Sequence, residues 1–185
     1  FSNFLFGWLV VPESLLPENR RPIDFMKMIP GVSLIALWKY KGVLLLIAAF
    51  FLANLAGQVL PTVWSYFTIE SFDWTPKEIG ISLVAVGLIV AFVQGFLIGK
   101  AIDWFGKQKV VTFGFMLWTL GMFLFSQASE PWMLYAFLIP YALGGVAGPT
   151  VQGIISNQVS VKEQGILQGS ITGLVSVTAI LGQFI

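Results

Sequence analysis

Five long stretches without a charged residue dominate this sequence. None of them contains Asp, Glu, Lys, Arg or His, and each is about 20 residues or more, the length that crosses a bilayer as a helix. A helix suits lipid because it pairs every backbone polar group within the segment. We therefore predict five membrane-spanning helices. The uncharged stretches are 42–69, 79–99, 110–129, 132–161 and 164–185.

A shorter apolar run opens the chain. Residues 1–11, FSNFLFGWLVV, would cover roughly half of the hydrocarbon core as a helix. No segment shows the ten-residue alternation of a membrane barrel wall. The sequence thus predicts an all-α membrane protein with five transmembrane helices plus a partial one. Because both ends lie within apolar runs, we expect an interior piece of a longer chain.

The basic residues alternate from loop to loop. Nine of the ten lie in three loops on one side of the predicted bundle, whereas Lys77 alone is basic on the other side. Cytoplasmic loops of membrane proteins carry the excess of Lys and Arg. This alternation predicts the orientation and supports the number of spans. The predicted cytoplasmic loops are 18–41, 100–109 and 158–163.

The longest polar segment is 12–41, which begins PESLLPENRRP. Its prolines prevent one continuous helix. Further on, apolar residues from Leu34 to Trp38 precede Lys39 and Lys41. This pattern fits an amphipathic helix on the inner membrane surface, and it also fits a basic linker with apolar residues.

Composition excludes several function classes. The chain has no His and no Cys, so it lacks the usual general base, the commonest metal ligand and any thiol. Its net charge is +1, and no basic stripe is interleaved with aromatic residues. Both observations argue against nucleic-acid binding. A membrane enzyme or a structural subunit would be expected to place titratable clusters at the membrane boundary, and the sequence has none. We predict no enzyme activity, no metal site and no cofactor, with the lipid bilayer as a partner.

Polar residues recur on one face of the first full span. Asn54, Gln58, Pro61 and Ser65 follow at i, i+4, i+7 and i+11, which places them on one helical face with Trp64 beside it. Polar amides in lipid need partners, so this face should point into the bundle or into a wet cavity. Two interpretations stay open: hydrogen bonds between helices, and the lining of a substrate pathway.

The fourth full span contains YALGGVAGPTVQG. Gly144 and Gly148 form a small-xxx-small pair, for which close helix packing is the favoured interpretation. Pro149 should kink the helix, because it lacks the N–H of a helical hydrogen bond. Broken helices near the midplane expose backbone groups in transporters. We predict that Gln152, on the face of the kink, lines a cavity.

Glycines also form a stripe in the last span. Gly165, Gly169 and Gly173 lie on one face, and Gln168 and Thr172 lie near them on another. Close contact between helices is the plainer interpretation of the glycines. A polar lining is the alternative for the second face.

The third loop reads GKAIDWFGKQK, with Gly99, Asp103, Gly106, Lys107 and Lys109 in order. A small residue lets a helix end pack tightly, and an Asp among lysines can cap a helix or meet its positive N-terminus. The same residues would also suit a solvated turn of mixed charge.

This loop resembles a signature that is repeated after the second and eighth helices of major facilitator superfamily transporters, a Gly, an Asp and a Gly followed by basic residues. Three further segments resemble the tetracycline-resistance branch of that family. They are PESLLPENRRP, GQVLPTVWSYFTIESFDWTPKEIGISL and GGVAGPTVQGIISNQVSVKEQGILQGSITGLVSV.

The resemblance implies the C-terminal half of a twelve-helix fold. Residues 1–11 would be the end of helix 6, 12–41 the central cytoplasmic loop, and 42–185 helices 7 to 11, with helix 12 outside the piece. Such transporters rock two halves around a central cavity, which makes the N-terminal half and a small-molecule substrate the implied partners. Asp103 would hold a cytoplasmic gate, and a proton gradient would supply the energy. The implied location is the bacterial inner membrane.

Two positions depart from the drug-exporting members. Gln94 matches a Gln on their eighth helix, but Val90 stands where they have a His, and Trp118 stands where they have an acid in the ninth helix. Trp118 cannot carry a proton, which argues against tetracycline itself as the substrate. We therefore expect any proton-coupling acids to lie in the other half. We expect a proton-coupled antiporter that exports amphipathic small molecules, with a metabolite uniporter or symporter of the same fold as the alternative.

Overall fold

The computed structural model describes residues 2–10, 44–160, 163–182 and 184. These described residues form helices joined by short turns, with no strand among them. Five helices are long and apolar enough to cross a membrane, so the predicted all-α membrane fold is confirmed. The possible surface helix within 12–41 lies outside the described residues. The helices are α1 (Ser2–Leu9), α2 (Leu44–Phe72), α3 (Pro76–Phe105), α4 (Lys107–Ser126), α5 (Pro131–Ser156) and α6 (Gln164–Gly182).

Both ends of α3 lie beyond its uncharged stretch, because local caps define them. Pro76 occupies the first turn, where its missing N–H costs nothing. Before it, the backbone N–H of Thr75 donates to Glu78 Oε2 at 2.7 Å, and Thr75 Oγ1 accepts from the Glu78 N–H at 3.4 Å. This reciprocal pair is a capping box. At the other end, Gly106 stops the helix with a φ of 78°, a conformation that favours glycine.

Two of the spans are interrupted. Residues Val93–Leu97 of α3 form a π-helical turn. Helix α5 consists of Pro131–Gly144 and Ala147–Ser156, with a turn between them. That turn lies one helical turn before Pro149, which has no N–H to donate to the carbonyl of Gly145. The interruption is therefore at the site where the sequence predicts a kink.

Helix α5 is central in the bundle. Within it, 44% of an 18-residue stretch is buried inside the protein, against 11% for α2 and for α3. Its second half packs with α2, α4 and α6 around an aliphatic core. Four members of that core are at most 2% exposed: Val151, Ile155, Leu167 and Ile171.

Glycines bring α4 and α5 into backbone contact. A Cβ built at Gly121 would lie 2.7 Å from the backbone of Tyr141, and one at Gly144 would lie 2.5 Å from the backbone N of Trp118. At Gly114 it would lie 2.9 Å from the Cβ of Ala147. Gly144 thus has the packing role that the sequence suggests. The residue packed against Gly144 is Trp118 of α4. At Gly148, the other member of the predicted pair, a Cβ would meet no described atom within 4 Å.

A cluster of aromatic rings closes the end of the bundle that holds the 73–75 and 127–130 loops. Trp64 is 4% exposed and meets the rings of Trp74 and Phe125 edge-on, with centroids 6.3 and 5.5 Å away. Its indole Nε1 donates to the fully buried Ser82 Oγ at 3.0 Å. The structure therefore places Trp64 in the core and not on a substrate pathway, because its ring packs against Trp74 and Phe125 and its N–H has an acceptor in Ser82.

Replacing Ser82 with Ala should lower the free energy of unfolding by about 1–3 kcal/mol, because it leaves the buried indole N–H of Trp64 without an acceptor. Thermal unfolding of the purified full-length protein in detergent measures this loss. The matched control is Ser71→Ala at an exposed position of α2. Equal melting temperatures for the two variants would contradict the role of this hydrogen bond.

Candidate functional site

A cleft of about 350 Å³ opens between α2, α4, α5 and α6. It lies against the interruption of α5, whose two halves both contribute lining residues. Ligand sites in helical membrane proteins commonly form where a broken helix faces other helices. The lining residues are Phe50, Ala53, Asn54, Phe115, Trp118, Gly144, Gly145, Gly148, Pro149, Gln152 and Val175.

Three of the residues proposed from sequence for a substrate pathway meet in this cleft. Asn54 comes from α2, Trp118 from α4 and Gln152 from α5. Three residues that the sequence assigns to packing or kinking line it as well: Gly144, Gly148 and Pro149. A Cβ at Gly148 would meet no described atom within 4 Å, so within the described residues Gly148 borders open space.

The other four pathway residues lie elsewhere. Gln58 packs against Gly182, where a Cβ would overlap the Gln58 side chain. Pro61 is exposed within α2, and Gln94 is exposed on the π-helical turn of α3. Trp64 belongs to the aromatic cluster described above. Only Asn54 of the polar face predicted for the first span therefore lines the cleft, because Gln58, one turn further on, packs against α6 at Gly182.

Trp118 forms one wall of the cleft. Its ring carbons lie 3.1 Å from the position of a Cβ at Gly57 on α2, and its ring centroid is 6.2 Å from that of Tyr141 on α5. Its own backbone lies against Gly144. Contacts with α2 and α5 thus fix the indole. Gly57 is not among the site residues predicted from sequence, although a glycine beside the polar residues of one face can indicate a close neighbour.

Two amides supply the polar side chains of the lining. Asn54 Nδ2 donates to the carbonyl of Phe50 on its own helix at 2.7 Å. Gln152 Nε2 donates to Oε1 of Gln168 on α6 at 2.9 Å, which links α5 and α6 beside the cleft. No charged residue lines the cleft. Such a lining offers hydrogen bonds and flat apolar surfaces, which suits reversible binding.

Within the described residues, no group of three or more His, Cys, Asp or Glu side chains could hold a metal ion. The cleft lining also holds no nucleophile and no titratable group.

The glycine stripe of α6 has no close neighbour in the described part of the chain. A Cβ at Gly165, Gly169 or Gly173 would meet no described atom within 4 Å. The sequence predicts helix packing there, and the described helices provide no partner for it. On the polar face of the same helix, Gln168 contacts Gln152.

The Gly-Asp-Gly motif lies at the junction of α3 and α4. The predicted loop 100–109 is helical except for Gly106, so Gly99 and Asp103 lie in the last turns of α3. Gly106 makes the turn with its positive φ, and Lys107 begins α4. Asp103, Lys107 and Lys109 are all exposed, as is Gly99. A carboxylate and two ammonium groups are thus presented at one end of the bundle. The gating role of Asp103 stays a prediction, since it requires a partner beyond the described residues.

Five helices long and apolar enough to cross a membrane, with a cleft between them, define a multi-pass membrane protein. The sequence of the chain matches the Major Facilitator Superfamily over residues 4–185. This chain belongs to that superfamily.

Among curated proteins, the chain is similar to tetracycline resistance proteins. It is 32% identical to the class C protein of Escherichia coli over 99% of the chain, and 33% identical to the class D protein of Salmonella ordonez over 97% of the chain. It is also 26% identical, over 93% of the chain, to hippocampus abundant transcript 1 protein of Homo sapiens. The chain spans 46% of the class C protein and 45% of the class D protein. No solved structure matches it.

Proposed function

We propose that the whole protein is a proton-coupled antiporter that exports amphipathic small molecules across a bacterial inner membrane. The observation that carries this proposal is the uncharged cleft beside the interruption of α5, lined by Asn54, Trp118 and Gln152. Its flat rings and amides suit compounds with an apolar body and a polar edge. The similarity to tetracycline resistance proteins from bacteria supports export and the bacterial location.

Proton coupling requires a titratable group outside this cleft. Antiport needs a group that gains and loses a proton within the membrane, and the lining of this cleft has none. We propose that membrane-embedded acids in the N-terminal half carry the protons. Trp118 lines the cleft at a position where an acid could have carried a proton. Tetracycline itself is therefore not the proposed substrate. The proposal includes no cofactor.

Asp103 and its neighbouring lysines suit a gate. As the two halves rock, the exposed carboxylate at the end of α3 can pair with a basic group or a helix N-terminus of the other half and be released again. The pair needs the charge of Asp103, whereas the fold of this loop depends on Gly106. We therefore propose that Asp103 contributes to the transport rate more than to stability.

Everted membrane vesicles that contain the full-length protein should release protons when a transported drug is added to an energised preparation. Asp103→Asn should reduce that rate at least about tenfold, since a lost charge-assisted pair costs about 1.5–3 kcal/mol, and expression should stay near the wild-type level. The matched control is Glu130→Gln, an exposed acid before α5. Wild-type rates for Asp103→Asn would remove the gating role. No proton release across a drug panel that includes tetracycline would favour a metabolite uniporter or symporter.

A further inference from the structure

Asn54 presents an acceptor at the cleft. The carbonyl of Phe50 can only accept a hydrogen bond, so the 2.7 Å contact must be made by Nδ2 of Asn54, and this fixes the orientation of the amide. One N–H of Asn54 is thereby committed to its own helix. Its Oδ1 has no donor among the described residues, and Asn54 lines the cleft. A ligand donor can therefore bind this oxygen without breaking an existing bond.

Gln152 makes its hydrogen bond to a residue outside the lining. Its Nε2 donates to Oε1 of Gln168 at 2.9 Å, in a partly buried contact between α5 and α6. Gln152 lines the cleft, whereas Gln168 does not. Gln152 Oε1 is left without a donor among the described residues. Each of the two amide oxygens can accept two bonds, while each amide keeps one uncommitted N–H, so the lining favours ligands that donate.

Aromatic rings surround these acceptors. Phe50, Phe115 and Trp118 line the cleft, and Trp118 is held between α2 and α5. Flat rings of a ligand pack on such surfaces by offset or edge-on stacking. No Lys or Arg is among the lining residues. An anion would lose its hydration and find no compensating charge, which makes its binding costly.

We infer that this cleft selects aromatic compounds that carry an N–H or O–H donor and no negative charge, and that Gln168 is a positioning residue which turns the oxygen of Gln152 towards them. The inference rests on the proposed transport function and deepens it by naming a class of substrate. Gln168 acts through Gln152, because Gln168 does not itself line the cleft.

Three matched naphthalene compounds test this selection. The probes are 1-naphthylacetamide, which has an N–H donor, methyl 1-naphthylacetate, which has none, and the 1-naphthylacetate anion. Isothermal titration calorimetry on the full-length protein in lipid nanodiscs, with empty nanodiscs subtracted, gives each Kd. We expect the amide to bind about tenfold more tightly than the ester, as one well-formed hydrogen bond allows. The anion should bind no better than the ester. Equal Kd values for amide and ester, tighter binding of the anion, or no binding of any probe would overturn the inference.

Variants at position 168 test the positioning role. In Gln168→Glu the side chain can still accept from Gln152 Nε2, so the ratio of ester to amide Kd should stay within about twofold of wild type. In Gln168→Met the acceptor is lost, and the ratio should fall to about threefold or less. Gln152→Met should also lower the ratio to about threefold or less, because Asn54 Oδ1 is then the one acceptor left of the two, and adding Gln168→Met to it should change nothing more. A ratio that stays at the wild-type value in Gln152→Met, or a ratio that falls in Gln168→Glu but stays at the wild-type value in Gln168→Met, would overturn the assignment.

These experiments distinguish a failure of the inferred ligand selection from a failure of the proposed antiport. The titration involves no proton gradient, so the amide preference can stand even if everted vesicles release no protons. Conversely, proton release with equal amide and ester binding would leave the antiport proposal intact and remove the inferred selection. Melting temperatures show whether each variant is folded. If Gln152→Met does not fold, the wild-type ratio and the pair of Gln168 variants still decide the outcome.

Discussion

Replacing Gly144 with Ala should lower the free energy of unfolding by about 1–3 kcal/mol, because the added methyl group overpacks a closely fitted contact. The Cβ would lie 2.5 Å from the backbone N of Trp118 and 2.6 Å from its Cα. Backbone atoms cannot turn aside as the end of a flexible side chain can, so α4 and α5 would have to separate. Thermal unfolding of the full-length protein in detergent measures the effect.

The matched control for this variant is Gly148→Ala, one turn further along α5. There, a Cβ would meet no described atom within 4 Å, and Ala is up to about 1 kcal/mol better than Gly in a helix interior. We expect a melting temperature equal to or slightly above that of the wild type. If both variants lose the same stability, the backbone contact of Gly144 with Trp118 is not what limits the size of residue 144.

The second large effect is expected at Trp118. Trp118→Ala removes a ring that contacts Gly57 of α2 and faces Tyr141 of α5, and it opens a hole in one wall of the cleft. Fully buried Trp to Ala changes cost about 3–5 kcal/mol, so this partly exposed ring should give about 3 kcal/mol. Substrate KM in proteoliposomes should rise at least about tenfold, because the ligand loses a stacking surface.

Trp132→Ala is the control for that loss, since Trp132 is 64% exposed at the start of α5. It should leave both the melting temperature and KM near the wild-type values. Trp118→Phe should recover part of the KM change, because a smaller ring still offers a flat surface. An unchanged KM in Trp118→Ala would mean that substrate does not contact this wall.

The number and nature of the helices follow from the sequence because lipid imposes one strong requirement. A backbone in hydrocarbon must pair its own polar groups, and uncharged runs of sufficient length satisfy that requirement only as helices. The helix ends follow from local capping instead. Glu78 and Lys100 are charged, yet both lie inside α3, because the Thr75 cap and the Gly106 turn set its limits.

The candidate site could be predicted only in part. The positions of Asn54 and Gln152 follow from helical spacing and the need of amides for partners. Whether a helical face meets a cavity or a neighbour depends on the rotation of each helix, which spacing alone leaves open. Trp64 illustrates this, because its buried bond to Ser82 of another helix decides its place. Gly114 and Gly121 are separated by two helical turns, a spacing that places both on one face of α4 and indicates close packing.

The π-helical turn Val93–Leu97 gives α3 a change of phase along its length. One additional residue in a turn offsets everything that follows by about 100° around the axis, relative to an uninterrupted α-helix. The azimuth of Asp103 is therefore set by this turn as much as by the number of residues that precede it. If residues 93–97 wound as a regular α-helix with no residue removed, the carboxylate of Asp103 would swing to a different side of the bundle. Deleting one residue there would restore the regular winding and leave the azimuth of Asp103 almost unchanged, because the wide turn accommodates one additional residue.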